Sequence, residues 1–346
     1  MLWSDLKRRD NLIVLSVVAV MLILVTLGLR EIANRSVGYA DFSSGNPGEN
    51  VIVVVEEGAT GEAIARSLAD ADVIASWQSF FQLAISDSRA GRIAPGSYRL
   101  ESRIPAVEAL EQLLDKDRIV GLISLRDGVR LAEVESILRK LGYEEIEEAF
   151  TSVAPPMGFT ANSLEGFLYP ARYSFEPGRT SSEVIEAMVE RFQVAVQDLD
   201  LEENPGDLSP DQLITLASLI EAEGTPDVFN KISRVIYNRL AIGMPLQLDA
   251  TIHYLQGTRG QISLTLAETK IQSRYNTYLN RGLPPGPIGS PTRSAILAAL
   301  EPEPGDWLYF ITVAPKDTRF TRSYDEFLDL KRLYRENYRK GLFEND

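Results

Sequence analysis

The stretch Asp211–Gly224 constrains the fold more than any other part of the chain. Leu213, Ile214, Leu216, Ala217, Leu219 and Ile220 point in nearly every direction around a helix axis. A helix apolar all round must lie in the middle of a core, so the rest of its domain has to wrap around it. Ser209 suits the N-cap, Pro210 the first helical position, and Gln212 completes a capping box. Gly224 is the expected stop. The helix carries Glu221 and Glu223 near its end. Burial disfavours an ionised carboxylate and raises its pKa, which suits a general acid working near neutral pH. Residues two apart on a helix lie about 200° apart and cannot share one site. Glu221 shares its direction with Ile214 and Ala217, and Glu223 with Gln212 and Leu219. Glu221 is therefore the candidate for chemistry and Glu223 for support. The competing reading pairs Glu221 structurally with an arginine such as Arg234 or Arg239.

Composition removes most other chemistries. The 346-residue chain has no cysteine and one histidine, His253. Disulfides, thiolate nucleophiles, Cys-ligated zinc and the His-x-x-x-His zinc motif are excluded. A Ser-His-Asp triad would need His253, and no Gly-x-Ser-x-Gly elbow accompanies it. His253 reads as a packing or surface residue. A net charge of −14 argues against nucleic acid as a partner. Neither a Gly-x-Gly-x-x-Gly nor a P-loop is present. No cofactor and no metal are expected. Carboxylates, tyrosines and amides are left to do the work.

Leu12–Leu29 is an uncharged run near the length that spans a bilayer core, preceded by Lys7, Arg8 and Arg9. The expectation is a tail over 1–11 in the cytoplasm, an uncleaved signal anchor over 12–29, and the remainder exported from the plasma (inner) membrane. A cleavable signal peptide is the competing reading, but the run is long for one and no small-x-small site follows. Residues 30–50 contain Ser36–Asn50, rich in Gly, Ser, Asn and Pro, which reads as a linker.

The linker leads into Val51–Val55, a β-branched strand. Helical spacing covers Gly61–Leu68 and Trp77–Ile85, Gly96–Leu100 reads as a turn into a strand, and Ala106–Leu114 as an amphipathic helix. This βααβ order over 51–120 resembles a LysM domain, a glycan-binding fold. Ile123–Gly128 and Leu131–Leu141 echo its strand–glycine–helix opening, either as a second partial unit or as the entry to the next domain. Leu164–Phe175 is aromatic-rich and broken by Gly166 and Pro170. It can pack as core or line a saccharide groove. A second helix is expected from Asp227 to Ala241, capped by Thr225-Pro226 and stopped at Gly243. Arg281–Pro291 holds four prolines and three glycines in 11 positions. It must be a rigid loop rather than helix or central strand. Ser294–Leu300 resumes a helix, Trp307–Val313 reads as a buried strand, and a charged amphipathic helix starts near Phe327. The fold class is α+β: a transmembrane helix, a small LysM-like βααβ module, and a mixed α+β catalytic domain over 121–346.

Five motifs occur in order over about 100 residues. They are Ala217-Ser218-Leu219-Ile220-Glu221-Ala222-Glu223, Asn238-Arg239-Leu240 with Gly243-Met244, Leu246-Gln247-Leu248-Asp249, Tyr275-Asn276-Thr277-Tyr278, and Gly282-Leu283-Pro284-Pro285-Gly286-Pro287-Ile288. Together they closely resemble the endolytic murein transglycosylases of the YceG-like family. Leu164-Glu165-Gly166, the LysM-like module and the anchor extend the likeness over most of the chain. The chain departs from the family pattern at Ala222, where Lys is usual, and at Ala250 and Arg274, where Pro is usual. It departs again at Ala171-Arg172, usually Asp-Thr, and in lacking histidines around Phe320–Phe327.

The resemblance implies cleavage of the β-1,4 bond between N-acetylmuramic acid and N-acetylglucosamine in peptidoglycan glycan strands. It places the catalytic glutamate at Glu221. Glu221 would protonate the leaving oxygen and then deprotonate the C6 hydroxyl that attacks C1, giving a 1,6-anhydro end. Gln247, Tyr275, Asn276, Thr277, Tyr278 and Glu165 become substrate-binding candidates. Asp249 would orient one of them or serve as a turn residue, with Glu223 in support. The family role is to cut nascent strands near the peptidoglycan synthases and end their elongation. Two other classes stay open on residues alone. One is a glycan-binding protein with a dead second domain. The other is a hydrolase pairing Glu221 with Asp249 or Glu165.

Overall fold

The structure is a computed structural model describing residues 39–343, apart from 57 and 260–263. The anchor expected at 12–29 lies outside the described residues, and no helix among those described is long and apolar enough to cross a membrane. The chain divides into two compact units, parting between Val120 and Gly121. Helices with small antiparallel sheets make it a mixed α+β protein.

The smaller unit runs β1 (Asn50–Val55), α1 (Gly61–Asp70), α2 (Trp77–Ser86), β2 (Gly96–Glu101), α3 (Ala106–Leu114) and β3 (Ile119–Val120). β1 pairs antiparallel with β2 from Asn50↔Glu101 to Val55↔Gly96, and β3 joins the other edge of β2. Alternation along β1 and β2 drives Val53, Val55, Tyr98 and Leu100 into a core with Leu68, Phe80 and Leu110. The polar segment before β1 is only partly a linker. Asp41 accepts the Ala106 amide at the start of α3, and Gly48 and Glu49 bracket Ser102 through backbone hydrogen bonds. Residues 40–49 thus strap the unit, because unpaired amides at a helix start and a strand end need partners.

The larger unit opens with β4 (Leu122–Ser124) and α4 (Leu131–Lys140). β4 pairs with β5 (Arg172–Ser174). This strand and helix therefore form the entry to the larger unit, not a second copy of the small one. α5 (Ile146–Ser152) and α6 (Ser181–Val196) follow, and then the apolar helix α7 (Pro210–Glu223). Ser209 caps α7 and shares a capping box with Gln212, and Pro210 starts it. Leu213 through Ile220 are all buried, and Gly224 ends the helix in extended rather than left-handed conformation. Phe167, Phe192, Phe229, Ile288 and Ala298 pack around α7.

α8 spans Phe229–Ala241, starting later than Asp227 because Thr225 to Val228 close a turn and the Thr225 hydroxyl donates to the Asp227 carboxylate instead of capping the helix. α9 (Asp249–Gln256) and α10 (Arg293–Leu300) complete the packing on α7. At the end, β6 (Tyr309–Ala314) and β7 (Asp317–Thr321) form a hairpin, followed by α11 (Tyr324–Arg339). The strand read as buried at Trp307–Val313 is mostly half-exposed, with Val313 alone fully covered. A two-stranded hairpin flanked by an amphipathic helix has too little mass to bury both faces of a strand.

Candidate active site around Glu221

The last turn of α7 carries Glu221 out of the apolar core. Its Oε2 accepts two hydrogen bonds from one residue, Thr292: the amide at 2.9 Å and the hydroxyl at 2.6 Å. Thr292 is the N-cap of α10, its hydroxyl oxygen accepting the Ala295 amide. Burial pushes the Glu221 carboxyl above its ordinary range. The Thr292 donors pull it back, and the negative charge of Asp127 pushes the same way as burial. A position near a helix C-terminus also disfavours negative charge. Among the described residues, no basic group pairs with Glu221. Arg234 is spent on the carbonyls of Pro302 and Glu303, and Arg239 on those of Leu246 and Leu308. The structural ion pair weighed from the sequence is therefore not formed.

Two segments frame this carboxyl. The proline-rich loop Arg281–Pro291 is irregular, as its composition requires. The Ile288 amide donates to the buried Ser218 hydroxyl at 3.1 Å, pinning the loop to α7. Ser290 then exchanges backbone bonds with the turn before α4, donating to Val129 (2.7 Å) and accepting from Gly128 (3.1 Å). Gly128 adopts φ +64°, and a methyl on its α-carbon would sit 3.4 Å from the Glu221 Cγ. Arg259 holds the Gly128 carbonyl and the Glu133 carboxylate. Thr292, Gly128 and Arg259 were not singled out as site residues from the sequence. The pattern Pro291-Thr292 before an apolar helix marks a cap, but nothing local says which carboxyl it meets.

Glu165 lies at the turn following Leu164 and is 9% exposed. It accepts the Leu131 amide at 3.1 Å and the Tyr254 hydroxyl at 3.2 Å. Burial lifts its carboxyl to about 7 against these bonds. Leu164, Phe167 and Leu168 of the aromatic segment are core, while Tyr169 and Tyr173 are half-buried. Glu165, Tyr254 and Tyr275 line a groove of about 1010 Å³ walled by Pro284 to Pro287. The two rings lie 5.2 Å apart. Glu221 is outside the lining of this groove.

The remaining candidates gather at the start of α9. Glu223 accepts the Ala250 amide at 3.2 Å, and burial with the neighbouring Asp249 charge raises it to about 7. Asp249 accepts the Tyr278 hydroxyl, and burial and that carboxylate push the phenol up. Gln247 is exposed at φ +48° and donates its amide to Thr277. Asn276 and Thr277, expected as substrate contacts, are buried in this structure. They are 0% and 2% exposed. Asn276 donates to the Thr269 and Ile271 carbonyls and accepts the Tyr278 amide. The Thr277 hydroxyl takes the Leu248 amide and meets Thr251. Both side chains hold loops together. Among the described residues the His253 ring Nε2 is buried without a hydrogen-bond partner, and the His253 carbonyl accepts from Arg130.

Residues 53–332 match the YceG-like family. The endolytic murein transglycosylase of Bacillus subtilis strain 168 is 30% identical over 306 residues, covering 82% of this chain and 84% of that protein. The protein of the same name from Streptococcus pneumoniae D39 is 39% identical over 154 residues, 43% of this chain and 28% of its own length. The crystal structure of a yceG-like protein from Listeria monocytogenes superposes with a TM-score of 0.55 at 26% identity, over 82% of this chain and 99% of that one. A family match spanning both units, together with a relative alike over most of its length, settles the kinship: this chain is a member of the YceG-like family.

Proposed function

We propose that the protein is a membrane-anchored endolytic lytic transglycosylase of peptidoglycan, with Glu221 as its single acid and base. The observation that carries this reading is the Glu221 carboxyl itself. Its pKa is raised by burial, it has no basic partner among the described residues, and it takes two donors on one oxygen. The Bacillus and Streptococcus relatives carry the name of that activity.

Neutral Glu221 donates its proton to the glycosidic oxygen as the bond from C1 of N-acetylmuramic acid to that oxygen breaks. The carboxylate left behind accepts the proton of the C6 hydroxyl as that oxygen bonds to C1. The proton balance closes on the enzyme, and the product has a 1,6-anhydro end with no water consumed. A substrate hydroxyl thus replaces the second carboxylate and the water of ordinary glycosidases. Leu12–Leu29 would anchor the chain in the plasma membrane with its N-terminus in the cytoplasm. The βααβ unit would hold glycan as a LysM-like module. A tethered enzyme reaches strands near the bilayer, where synthases extend them.

The test is mass spectrometry of peptidoglycan treated with the full chain in detergent, with Glu221→Gln beside it. Anhydromuramic ends from the wild type, absent with the variant, support both reaction and residue. Reducing ends, heavier by one water, would replace this reading with a hydrolase. Bound but uncut glycan with both proteins would indicate a binding protein.

A further inference from the structure

Thr292 holds only one of the two oxygens of Glu221. Its amide can only donate, and its hydroxyl, which receives the Ala295 amide, turns its own hydrogen to the same Oε2. An oxygen taking two donors is the carbonyl-like one of a neutral carboxyl. Oε1 has no protein partner among the described residues. Resting on the reading of Glu221 as acid, we propose that Thr292 is a positioning residue that confines the transferable proton to Oε1. That oxygen both gives the proton to the leaving group and takes it from the C6 hydroxyl.

The consequence is chemical as well as geometric. When the proton leaves Oε1, charge spreads to Oε2, where the two Thr292 donors are already in place and strengthen with it. They hold the carboxylate at the start of α10, where a helix N-terminus favours negative charge. The same bonds keep the carboxyl from rotating between the two half-reactions. Burial makes Glu221 a weak acid, and Thr292 moderates that weakness.

The test is the pH dependence of glycan cleavage by the full chain in detergent, for wild type, Thr292→Val, Thr292→Ser, Thr292→Asp and Glu221→Gln. The acid must be protonated, so kcat/KM falls as pH rises through its pKa. Losing a donor to the charged form raises that pKa. With Thr292→Val the alkaline limb should move up by about one pH unit, and kcat should fall about tenfold at unchanged KM. Thr292→Ser should restore both. Ionised Asp keeps the cap of α10 but cannot donate, so Thr292→Asp should also move the limb up in a folded protein. A wild-type limb and kcat with Thr292→Val would overturn the proposal. So would equal losses in all three Thr292 variants with an unmoved limb, the mark of packing alone. Cleavage by Glu221→Gln at the wild-type rate would instead remove the acid reading itself, whatever Thr292 does.

Discussion

Gly128 turns its bare α-carbon toward Glu221, so that a methyl group there would stand 3.4 Å from the Glu221 Cγ. The residue is fixed in this place from both sides, by Ser290 on its amide and Arg259 on its carbonyl. Its φ of +64° is costly for an L residue. Gly128→Ala should therefore lose about 1 kcal/mol of stability from the backbone alone, read from urea unfolding. The added methyl only reaches van der Waals contact with the Glu221 Cγ, so cleavage by the Ala variant should slow only slightly. Gly128→Asn separates the two causes, because Asn tolerates this φ yet brings a larger side chain. Stability near wild type with a deeper loss of kcat is the expected outcome for Asn. Full activity in both variants would show that the open face of Gly128 plays no part.

The helix that positions this site was legible because its information is local. The cap at Ser209, the proline at 210 and the apolar run on all sides specify α7 and leave Glu221 as its chemically odd member. The irregularity of Arg281–Pro291 was equally plain, since proline and glycine forbid the alternatives. What could not be read was which distant residue meets which. Thr292 lies 71 positions from Glu221, and its cap pattern is the same whether it faces solvent or a carboxyl. The burial of Asn276 and Thr277 was not legible either. A polar motif between two loops looks like a binding edge, yet buried backbone groups also need partners, and these side chains supply them. The strand at Trp307–Val313 looked buried because its residues are apolar. Exposure there depends on how much structure covers the hairpin, which no local pattern records.

Glu165 gives a pH signature of its own. Its carboxyl titrates near 7 in the fold against an ordinary 4.5, because burial disfavours the charge. A raised carboxyl binds its proton more tightly folded than unfolded. Its contribution to stability is thus full below about pH 4.5 and lost as pH rises through 7. Glu165→Gln imitates the neutral form, and its amide can still meet Leu131 and Tyr254. The variant should match wild type near pH 4 and exceed it at pH 8 by about 3 kcal/mol. Urea midpoints at the two pH values measure the gap, and a gap that does not widen with pH would contradict the assigned shift.

Asn276 should behave as a structural residue. Its three side-chain hydrogen bonds, at 3.1, 2.8 and 2.9 Å, all go to backbone groups of the 269–278 segment. Asn276→Ala leaves two carbonyls and one amide to find other partners and should cost about 3 kcal/mol. Activity lost in this variant should follow the fraction folded, and return on cooling, while KM of the remaining enzyme stays near wild type. A raised KM at full stability would return Asn276 to the list of substrate contacts.

Tyr275 is the residue through which the groove can be tied to the glycan. Its ring packs 5.2 Å from that of Tyr254, half-buried, and its hydroxyl approaches the Gly286 α-carbon of the proline-rich wall. The groove it lines stops short of Glu221, so a strand lying there would be held at a distance from the chemistry. Loss of the ring should then weaken binding without disturbing the acid. In a Glu221→Gln background, which on the proposed role of Glu221 binds glycan without cutting it, Tyr275→Ala should reduce affinity roughly threefold to tenfold, in keeping with ~0.5–1.5 kcal/mol for a ring contact. Tyr275→Phe keeps the ring and should bind like the parent. With Glu221 intact, Tyr275→Ala should raise KM and leave kcat nearly unchanged, because an interaction equal in ground and transition states lowers only KM. Unaltered affinity in Tyr275→Ala would mean that the strand runs elsewhere, and that the Tyr254–Tyr275 pair serves only to support the proline-rich loop.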